Sequence, residues 1–290
     1  MFENYNNARE KFISNPNKLI ELEKYFTEKI SSLIKNNLQL IIDDYNEASF
    51  LYPFWANYSP VDRGRSPKGD QIPWIEVGEH AIGHKLIRLL SKEFEVREVG
   101  LPSGADNRVL IADKKIEEIV GFTSHAMLFL DIKSVGPRDD AEHTVLSPYQ
   151  ISGNGIWNEP NDTLKNSIMI AKGSRVEHNF YPAISPIYCL SSGIIAPTIH
   201  IFVKPVYKML NLEDASARGQ PLNRIGLVSF PNGLLLTELP NYLEQYPGLL
   251  FPGKDDKGKA QDKIRCRISF GLLSKIAKWR VENIITDYSL

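Results

Sequence analysis

The segment Phe-Leu-Asp-Ile-Lys at residues 129–133 constrains this chain more than any other feature. Its apolar start predicts a buried strand, and because side chains alternate along a strand, Asp131 and Lys133 are expected on the same face. A second carboxylate, Asp106, lies just before the short apolar segment 109–112. Two carboxylates and a lysine at the ends of neighbouring strands can bind a hard divalent cation and orient a water molecule against a phosphate.

An Asp followed at a distance by Asp-x-Lys is the pattern of metal-dependent DNA nucleases. Only three positions are fixed and the spacer is loose, so a surface strand with an ordinary salt bridge fits the same residues. Glu79, on a predicted helix beside the sheet, is a further acid that could supply a water-mediated third metal ligand. The alternative at Glu79 is an ordinary exposed glutamate on a helix. The pattern alone leaves open the choice between nuclease site and salt bridge, and the choice between metal ligand and surface residue at Glu79.

Composition indicates a folded globular protein with no overall attraction for a polyanion. The chain has 290 residues, 42% of them hydrophobic, and a formal net charge of −1, so nucleic acid would have to be met by a local cationic patch. Cys189 and Cys266 are far apart and lack metal-ligand spacing, which fits a reducing compartment. No secretion signal or membrane-spanning apolar run is visible, so we expect a cytoplasmic protein with no membrane partner.

Hydrophobic periodicity predicts an α/β fold with a mixed β-sheet flanked by helices. Predicted helices cover residues 15–43, 76–94 and 272–285. Predicted strands cover residues 96–99, 109–112, 126–133, 198–203, 225–230, 234–237 and 263–269, with Asn232-Gly233 as a hairpin turn. Residues 53–73 are expected to form an exposed cationic loop, and residues 146–186 to form long loops with short strands.

A cationic tract occupies the C-terminal part of the chain. Between Lys254 and Arg280 there are nine Lys or Arg residues against three Asp residues. On the last predicted strand, alternation places Lys263, Arg265 and Arg267 on one face. Such a strand can lie in the major groove of DNA, where Arg and Lys donate to guanine and Asp accepts from cytosine, and the mixed sign favours base reading over a purely phosphate-binding stripe. The alternative is an edge strand that its charges protect from aggregation.

Two further motifs carry little weight. Residues 253–259 fit the start of a phosphate-binding loop, but Ala260 replaces the hydroxyl residue and a strand pattern follows where a helix should begin, so no nucleotide cofactor is expected. His80 and His84 are four residues apart on one predicted helix, but no Glu follows His80 as a zinc protease would require. They are therefore interpreted as surface residues.

Several stretches resemble a known enzyme family. They include Asp-Tyr-Asn-Glu-Ala at 44–48, Pro-Phe-Trp at 53–55, Asp-Arg-Gly at 62–64, 67–79, Leu-Asp-Ile-Lys-Ser-Val-Gly-Pro-Arg-Asp at 130–139, Leu-Ser-Pro at 146–148, 150–155 and 253–256. They resemble the type II restriction endonucleases of the EcoRV-like branch of the PD-(D/E)xK superfamily. The resemblance runs from about residue 40 to the last predicted strand. It implies a single restriction-endonuclease-like domain over residues 1–290, with a catalytic core at about 76–140 and a DNA-reading strand and loop at about 252–270.

The resemblance also implies a set of site residues. Asp106, Asp131 and the backbone carbonyl of Ile132 fall on the metal-binding positions, for one or two Mg²⁺ ions per active site. Lys133 falls on the catalytic lysine and Glu79 on an auxiliary catalytic acid. The implied DNA contacts are Lys254, Asp256, Arg265 and Arg267, with Arg65 and Asp139 as weaker correspondences.

The implied activity is that of a bacterial restriction-modification system. A homodimer would hydrolyse double-stranded DNA at the interrupted palindrome GCCNNNNNGGC and leave 5′-phosphates. This sequence departs from the family pattern in a shorter interval between Asp106 and Asp131, in a poorly matching N-terminal helix, and in Arg65 in place of a lysine. The alternatives are a repair or junction-resolving nuclease of the same superfamily and a sequence-specific DNA-binding protein without catalysis.

Overall fold

A mixed β-sheet forms the centre of the structure. The computed structural model describes residues 1–50, 74–101, 104–134, 142–207, 221–253, 259–260 and 263–285. Its strands are β1 Glu95–Glu98, β2 Asn107–Ala112, β3 His125–Ile132, β4 His143–Leu146, β5 Met169–Lys172, β6 Glu177–Phe180, β7 Ile187–Cys189, β8 Ile195–Tyr207, β9 Leu222–Phe230, β10 Leu250–Pro252, β11 Cys266–Ser269 and β12 Val281–Ile285. The central sheet has the order β1-β2-β3-β8-β9-β12, and β7 also pairs with β8. Only the β3–β8 pair within it is parallel, so the predicted mixed sheet is confirmed.

Helices flank this sheet. They are α1 Phe2–Ser14, α2 Asn17–Asn36, α3 Leu38–Phe50, α4 Trp74–Glu93, α5 Lys114–Val120, α6 Gly233–Thr237, α7 Tyr242–Gln245 and α8 Phe270–Ile276, with 3₁₀ turns at Pro148–Gln150 and Lys278–Arg280. Helix α2 contacts β8 and β9, and α4 contacts β3. Apolar residues at helical spacing on α2, among them Leu19, Leu22, Phe26 and Ile30, are fully buried. None of the described helices combines the length and apolar character needed to cross a bilayer.

The single long helix predicted over residues 15–43 is wrong. The chain ends α2 at Asn36 and begins α3 at Leu38, because Asn37 leaves helical geometry and its side-chain amide donates to the Leu33 carbonyl at 2.9 Å. Such a local side-chain bond competes with helix continuation. Helices α1 and α5 were not predicted, whereas α4 falls where the second helix was expected.

The C-terminal third also differs from the prediction. The expected hairpin at Asn232-Gly233 is wrong, because the buried Asn232 side chain accepts from Leu234 N at 3.0 Å and caps helix α6. The helix expected over residues 272–285 is wrong as well. Helix α8 ends at Ile276, and β12 pairs antiparallel with β9 at the edge of the sheet.

A fully buried ion pair joins the two ends of the chain. Arg280 Nη2 lies 2.6 Å from Glu23 Oε2, and both side chains are 0% exposed. The other Glu23 oxygen accepts from Asn232 N at 2.6 Å, so α2, the start of α6 and the segment before β12 meet at one carboxylate. Arg280 belongs to the core for this reason, and it is not part of a cationic surface tract as its sequence position suggested.

A smaller antiparallel sheet has the order β10-β11-β4. Its central strand β11 covers only the second half of the strand predicted over residues 263–269. The predicted alternation holds within it, because Cys266 and Ile268 are buried while Arg267 is half-buried and the preceding Arg265 is exposed.

Candidate active site

The end of β3 brings two of the predicted site residues together. Asp131 is 1% exposed. Lys133 Nζ lies 2.7 Å from Asp131 Oδ2 as an ion pair, on the shared face that strand alternation predicts. Asp131 Oδ1 accepts from Gln150 Nε2 at 2.8 Å. The carboxylate is thus held from both sides, by a cation and by an amide.

Asp106 reaches the same place from the turn before β2. Gly104 has a φ of +130°, and a Cβ there would meet the Phe129 ring at 2.9 Å, so the close turn requires glycine. Asp106 Oδ2 accepts from Ile132 N at 2.6 Å. Because Ile132 separates Asp131 from Lys133, this bond fixes the second carboxylate beside the first. The structure therefore assembles the predicted group of Asp106, Asp131 and Lys133.

Glu79 lies near this group without completing a three-acid cluster. It follows Gly78 on α4, where an added Cβ would stand 1.6 Å from Ser134 Oγ, so the helix backbone packs directly on the residue after Lys133. Glu79 is half-buried there. Among the described residues, no group of three or more His, Cys, Asp or Glu side chains is arranged to hold a metal ion. His80 and His84 are both exposed, as expected for surface residues.

The electrostatics of Asp131 fit a cation site. Burial raises the pKa of Asp131 to about 6, the neighbouring Lys133 ammonium opposes that rise, and the Asp106 carboxylate adds to it. Within the described part of the chain, the buried Asp131 Oδ2 accepts no hydrogen bond beyond its ion pair with Lys133 Nζ. Two neighbouring carboxylates suit Mg²⁺, which takes one or two protein carboxylates and completes its shell with water and phosphate.

We expect Asp131→Asn to stabilise the metal-free protein near pH 7.5. The folded-state pKa of about 6 lies above the ordinary value of 3.8, so stability present at low pH is lost as the pH rises through 6. Asparagine stays neutral, so the variant does not lose this stability. The difference in the free energy of unfolding is roughly 1 to 3 kcal/mol. Urea unfolding in EDTA measures it. The difference should vanish near pH 4, and a variant that is no more stable at pH 7.5 would contradict the expectation.

The predicted DNA-reading residues fall into two groups. Arg265 precedes β11 and is exposed, and Arg267 lies on β11 opposite Val145 of β4. The Arg267 Nε is buried and has no hydrogen-bond partner among the described residues. Lys254, Asp256, Arg65 and Asp139, together with the whole 53–73 loop, lie outside the described residues.

Sequence reasoning missed Gln150, which contacts the centre of the site. Its signal is Ser147-Pro148-Tyr149-Gln150, a capping box with proline in the first turn. Gln150 Oε1 accepts from Ser147 N at 2.9 Å, which leaves its amide nitrogen to donate to Asp131. The motif predicts the turn, but the partner of the amide depends on tertiary structure.

Comparisons with known proteins connect this chain to a family of restriction enzymes. Residues 1–284 match the family described as Restriction endonuclease BglI. The chain is 46% identical to the Type II restriction enzyme BglI of Bacillus subtilis over 292 residues, covering 99% of this chain and 97% of the relative.

Two solved structures share the fold. The crystal structure of restriction endonuclease BglI bound to its DNA recognition sequence superposes with a TM-score of 0.91 at 45% identity, covering 99% of this chain and 97% of that one. The tetrameric restriction endonuclease SfiI bound to cognate DNA superposes with a TM-score of 0.63 at 14% identity, covering 94% of this chain and 86% of that one. The SfiI likeness concerns the fold alone.

Proposed function

This chain belongs to the BglI family of type II restriction endonucleases, and we propose that it makes Mg²⁺-dependent double-strand breaks at GCCNNNNNGGC. The observation that carries the proposal is the group at the end of β3: buried Asp131, Lys133 at 2.7 Å, and Asp106 bonded to the intervening Ile132 N. These three positions are the ones that the Asp, Asp-x-Lys pattern assigns to cleavage chemistry.

Asp106, Asp131 and the Ile132 carbonyl hold one or two Mg²⁺ ions in this proposal. The oxygen donors support it, because the two carboxylates lie side by side and Asp131 Oδ2 has only the Lys133 ion pair among the described residues. When bound, the metal polarises the scissile phosphate and stabilises the charge that builds up in the transition state. Glu79 acts as an auxiliary acid through water, and its half-buried place on α4, next to the Gly78 contact with Ser134, supports this role.

Lys133 has the role of placing the attacking water. Its side chain is 27% exposed, so it is partly open to solvent while Asp131 holds the ammonium. From there the ammonium orients the attacking water by hydrogen bonding for in-line displacement at phosphorus. To act as a base instead, Lys133 would first give a proton to solvent and then, as the neutral amine, accept the proton that the water loses. The bond between phosphorus and the 3′ oxygen breaks, the 3′ oxygen takes a proton from solvent, and the product carries a 5′-phosphate. Asp106 accepts from the Ile132 backbone N–H, between Asp131 and Lys133, and this bond keeps its carboxylate beside both of them.

Base reading is assigned to the small sheet and the loop before it. Arg265, Arg267 and Lys254 supply cations for the three guanines of a half-site, and Asp256 accepts from a cytosine amine. Arg65 and Asp139 make flanking contacts. One chain holds one such set and one catalytic group, so a homodimer with two-fold symmetry is the form that matches an interrupted palindrome.

Incubation with plasmid DNA tests the whole proposal. Cleavage to discrete bands that requires Mg²⁺, with end sequencing that places both cuts within GCCNNNNNGGC, is the expected result. A repair or junction-resolving nuclease would cut without a fixed sequence. A DNA-binding protein without catalysis would shift the DNA in a gel and leave it intact.

Arg267→Ala should relax specificity at one guanine in each half-site. Loss of a bidentate contact costs roughly 1 to 3 kcal/mol of discrimination there. Cleavage rates on duplexes substituted at each half-site position measure the effect. Lys275→Ala, on the exposed part of α8, is a control that removes one cation without touching β11. Equal weakening on all sequences, with a shallower salt dependence, would make Arg267 a phosphate contact instead.

A further inference from the structure

Strand β4 connects the small sheet to the central sheet. It pairs with β11 in the register Cys266 opposite Leu146 and Arg267 opposite Val145. At its other end, the His143 carbonyl accepts from Lys204 Nζ of β8 at 2.7 Å, and Lys204 is 3% exposed. The strand that neighbours the proposed reading residues is therefore anchored in the sheet that carries the acids.

The residues directly after β4 reach the catalytic carboxylate. The 3₁₀ turn Pro148–Gln150 follows Ser147, and the reciprocal bonds between Ser147 and Gln150 close it. This turn aims the Gln150 amide at Asp131 Oδ1, at 2.8 Å. Within the described residues, Gln150 is the amide that donates to Asp131. A continuous series of contacts therefore leads from Arg267 through β4 to the Asp131 carboxylate.

We propose that Gln150 is a positioning residue that fixes the Asp131 carboxylate and ties its placement to the DNA-reading strand β11. The inference rests on the proposed metal-dependent nuclease function. Gln150 binds no metal in it, since its oxygen is occupied by Ser147 N at 2.9 Å and its nitrogen is a donor. Gln150 holds Asp131 Oδ1 by a hydrogen bond. Because the turn of Gln150 directly follows β4, this strand sets the rotation of the Asp131 carboxylate and with it the direction of Oδ2.

Gln150→Met tests the hydrogen bond at nearly constant size. Outer partners of metal ligands are worth about 10- to 100-fold in metal affinity or activity. We expect Mn²⁺ binding to the DNA-free protein, followed by electron paramagnetic resonance, to weaken by about tenfold or more. Binding of the cognate duplex in EDTA should stay within about twofold of wild type, because the reading residues are unchanged.

Gln39→Met is the matched control. Gln39 also donates to an aspartate at 2.8 Å, Asp43, but on the exposed surface of α3. This variant should bind Mn²⁺ like wild type. Gln150→Glu gives a second test that preserves the turn, because a glutamate oxygen still accepts from Ser147 N while the other faces Asp131 Oδ1 and cannot donate in ionised form. Its cleavage rate at saturating Mg²⁺ should fall by about tenfold or more.

A separate measurement tests whether Gln150 links the placement of the Asp131 carboxylate to β11. In Gln150→Met, the ratio of cleavage rates on the cognate site and on a site with one altered base pair should fall by about tenfold, while the ratio of binding affinities in EDTA stays constant. An unchanged cleavage ratio overturns the tie. Wild-type Mn²⁺ affinity in Gln150→Met, or wild-type cleavage in Gln150→Glu, overturns the positioning role. Wild-type protein that binds no Mn²⁺ and cuts no DNA would instead defeat the proposed function itself.

Discussion

Asp131→Ala is expected to lower the cleavage rate by at least about 10³-fold while specific DNA binding persists. A metal that stabilises the transition state contributes several kcal/mol, and each 1.4 kcal/mol is about tenfold in rate. Arg267, the proposed base-reading residue on β11, belongs to the small sheet, whereas Asp131 belongs to β3 of the central sheet, so we expect DNA binding not to depend on this carboxylate. Cleavage of supercoiled plasmid in Mg²⁺ and gel shifts in EDTA measure the two effects separately.

The control for that experiment is Asp162→Ala, which removes an exposed carboxylate in the loop before β5. It should cut like wild type. Asp131→Asn should be as inactive as the alanine variant, because it keeps the size of the side chain but loses the charge that binds the cation. A rate within about tenfold of wild type in either Asp131 variant would remove Asp131 from the metal site.

A change of one base pair in the spacer of the recognition site should abolish efficient cleavage. One added pair moves a half-site by about 3.4 Å and by about a tenth of a turn, out of hydrogen-bonding reach of a reading strand fixed by a two-fold dimer. Each lost base-pair contact costs roughly 1 to 3 kcal/mol, so loss of a three-pair half-site should slow cleavage by roughly 10²-fold or more.

The measurement uses oligoduplexes with spacers of four, five and six pairs, alongside light scattering of the free protein. These lengths bracket the five pairs of the proposed site. Varying the spacer sequence at constant length is the control, and it should change the rate little. Efficient cutting at all three lengths, or a monomer that cuts both strands in one encounter, would refute the proposed homodimer.

Local sequence patterns were sufficient for the centre of the candidate site. Strand alternation alone placed Asp131 and Lys133 on one face, and the structure has them in contact. Asp106 was predicted from its position before a neighbouring strand, and the β2–β3 pairing with its bond to Ile132 N accounts for that success. Their catalytic roles stay predictions.

Long-range packing decided the features that sequence reasoning missed. Asn232-Gly233 is a good hairpin signal, yet the Asn232 amide donates to the carbonyls of Pro186 and Thr198, and that buried environment selects a helix cap. Residues 281–285 have a helix-compatible pattern but become a strand because β9 offers an edge. Gln150 could not be predicted as a site residue for a related reason, since only the tertiary fold brings Asp131 to its amide.

The ion pair between Glu23 and Arg280 has a consequence for folding during protein synthesis. The two residues are 257 positions apart, so α2 leaves the ribosome long before its counter-charge exists. A nascent chain that lacks Arg280 would have to bury the Glu23 carboxylate without its cationic partner. Such burial costs roughly 3–5 kcal/mol. That is a large share of the roughly 5–15 kcal/mol that holds a typical domain together. We therefore expect the fold to reach its full stability only after residue 280 has been synthesised.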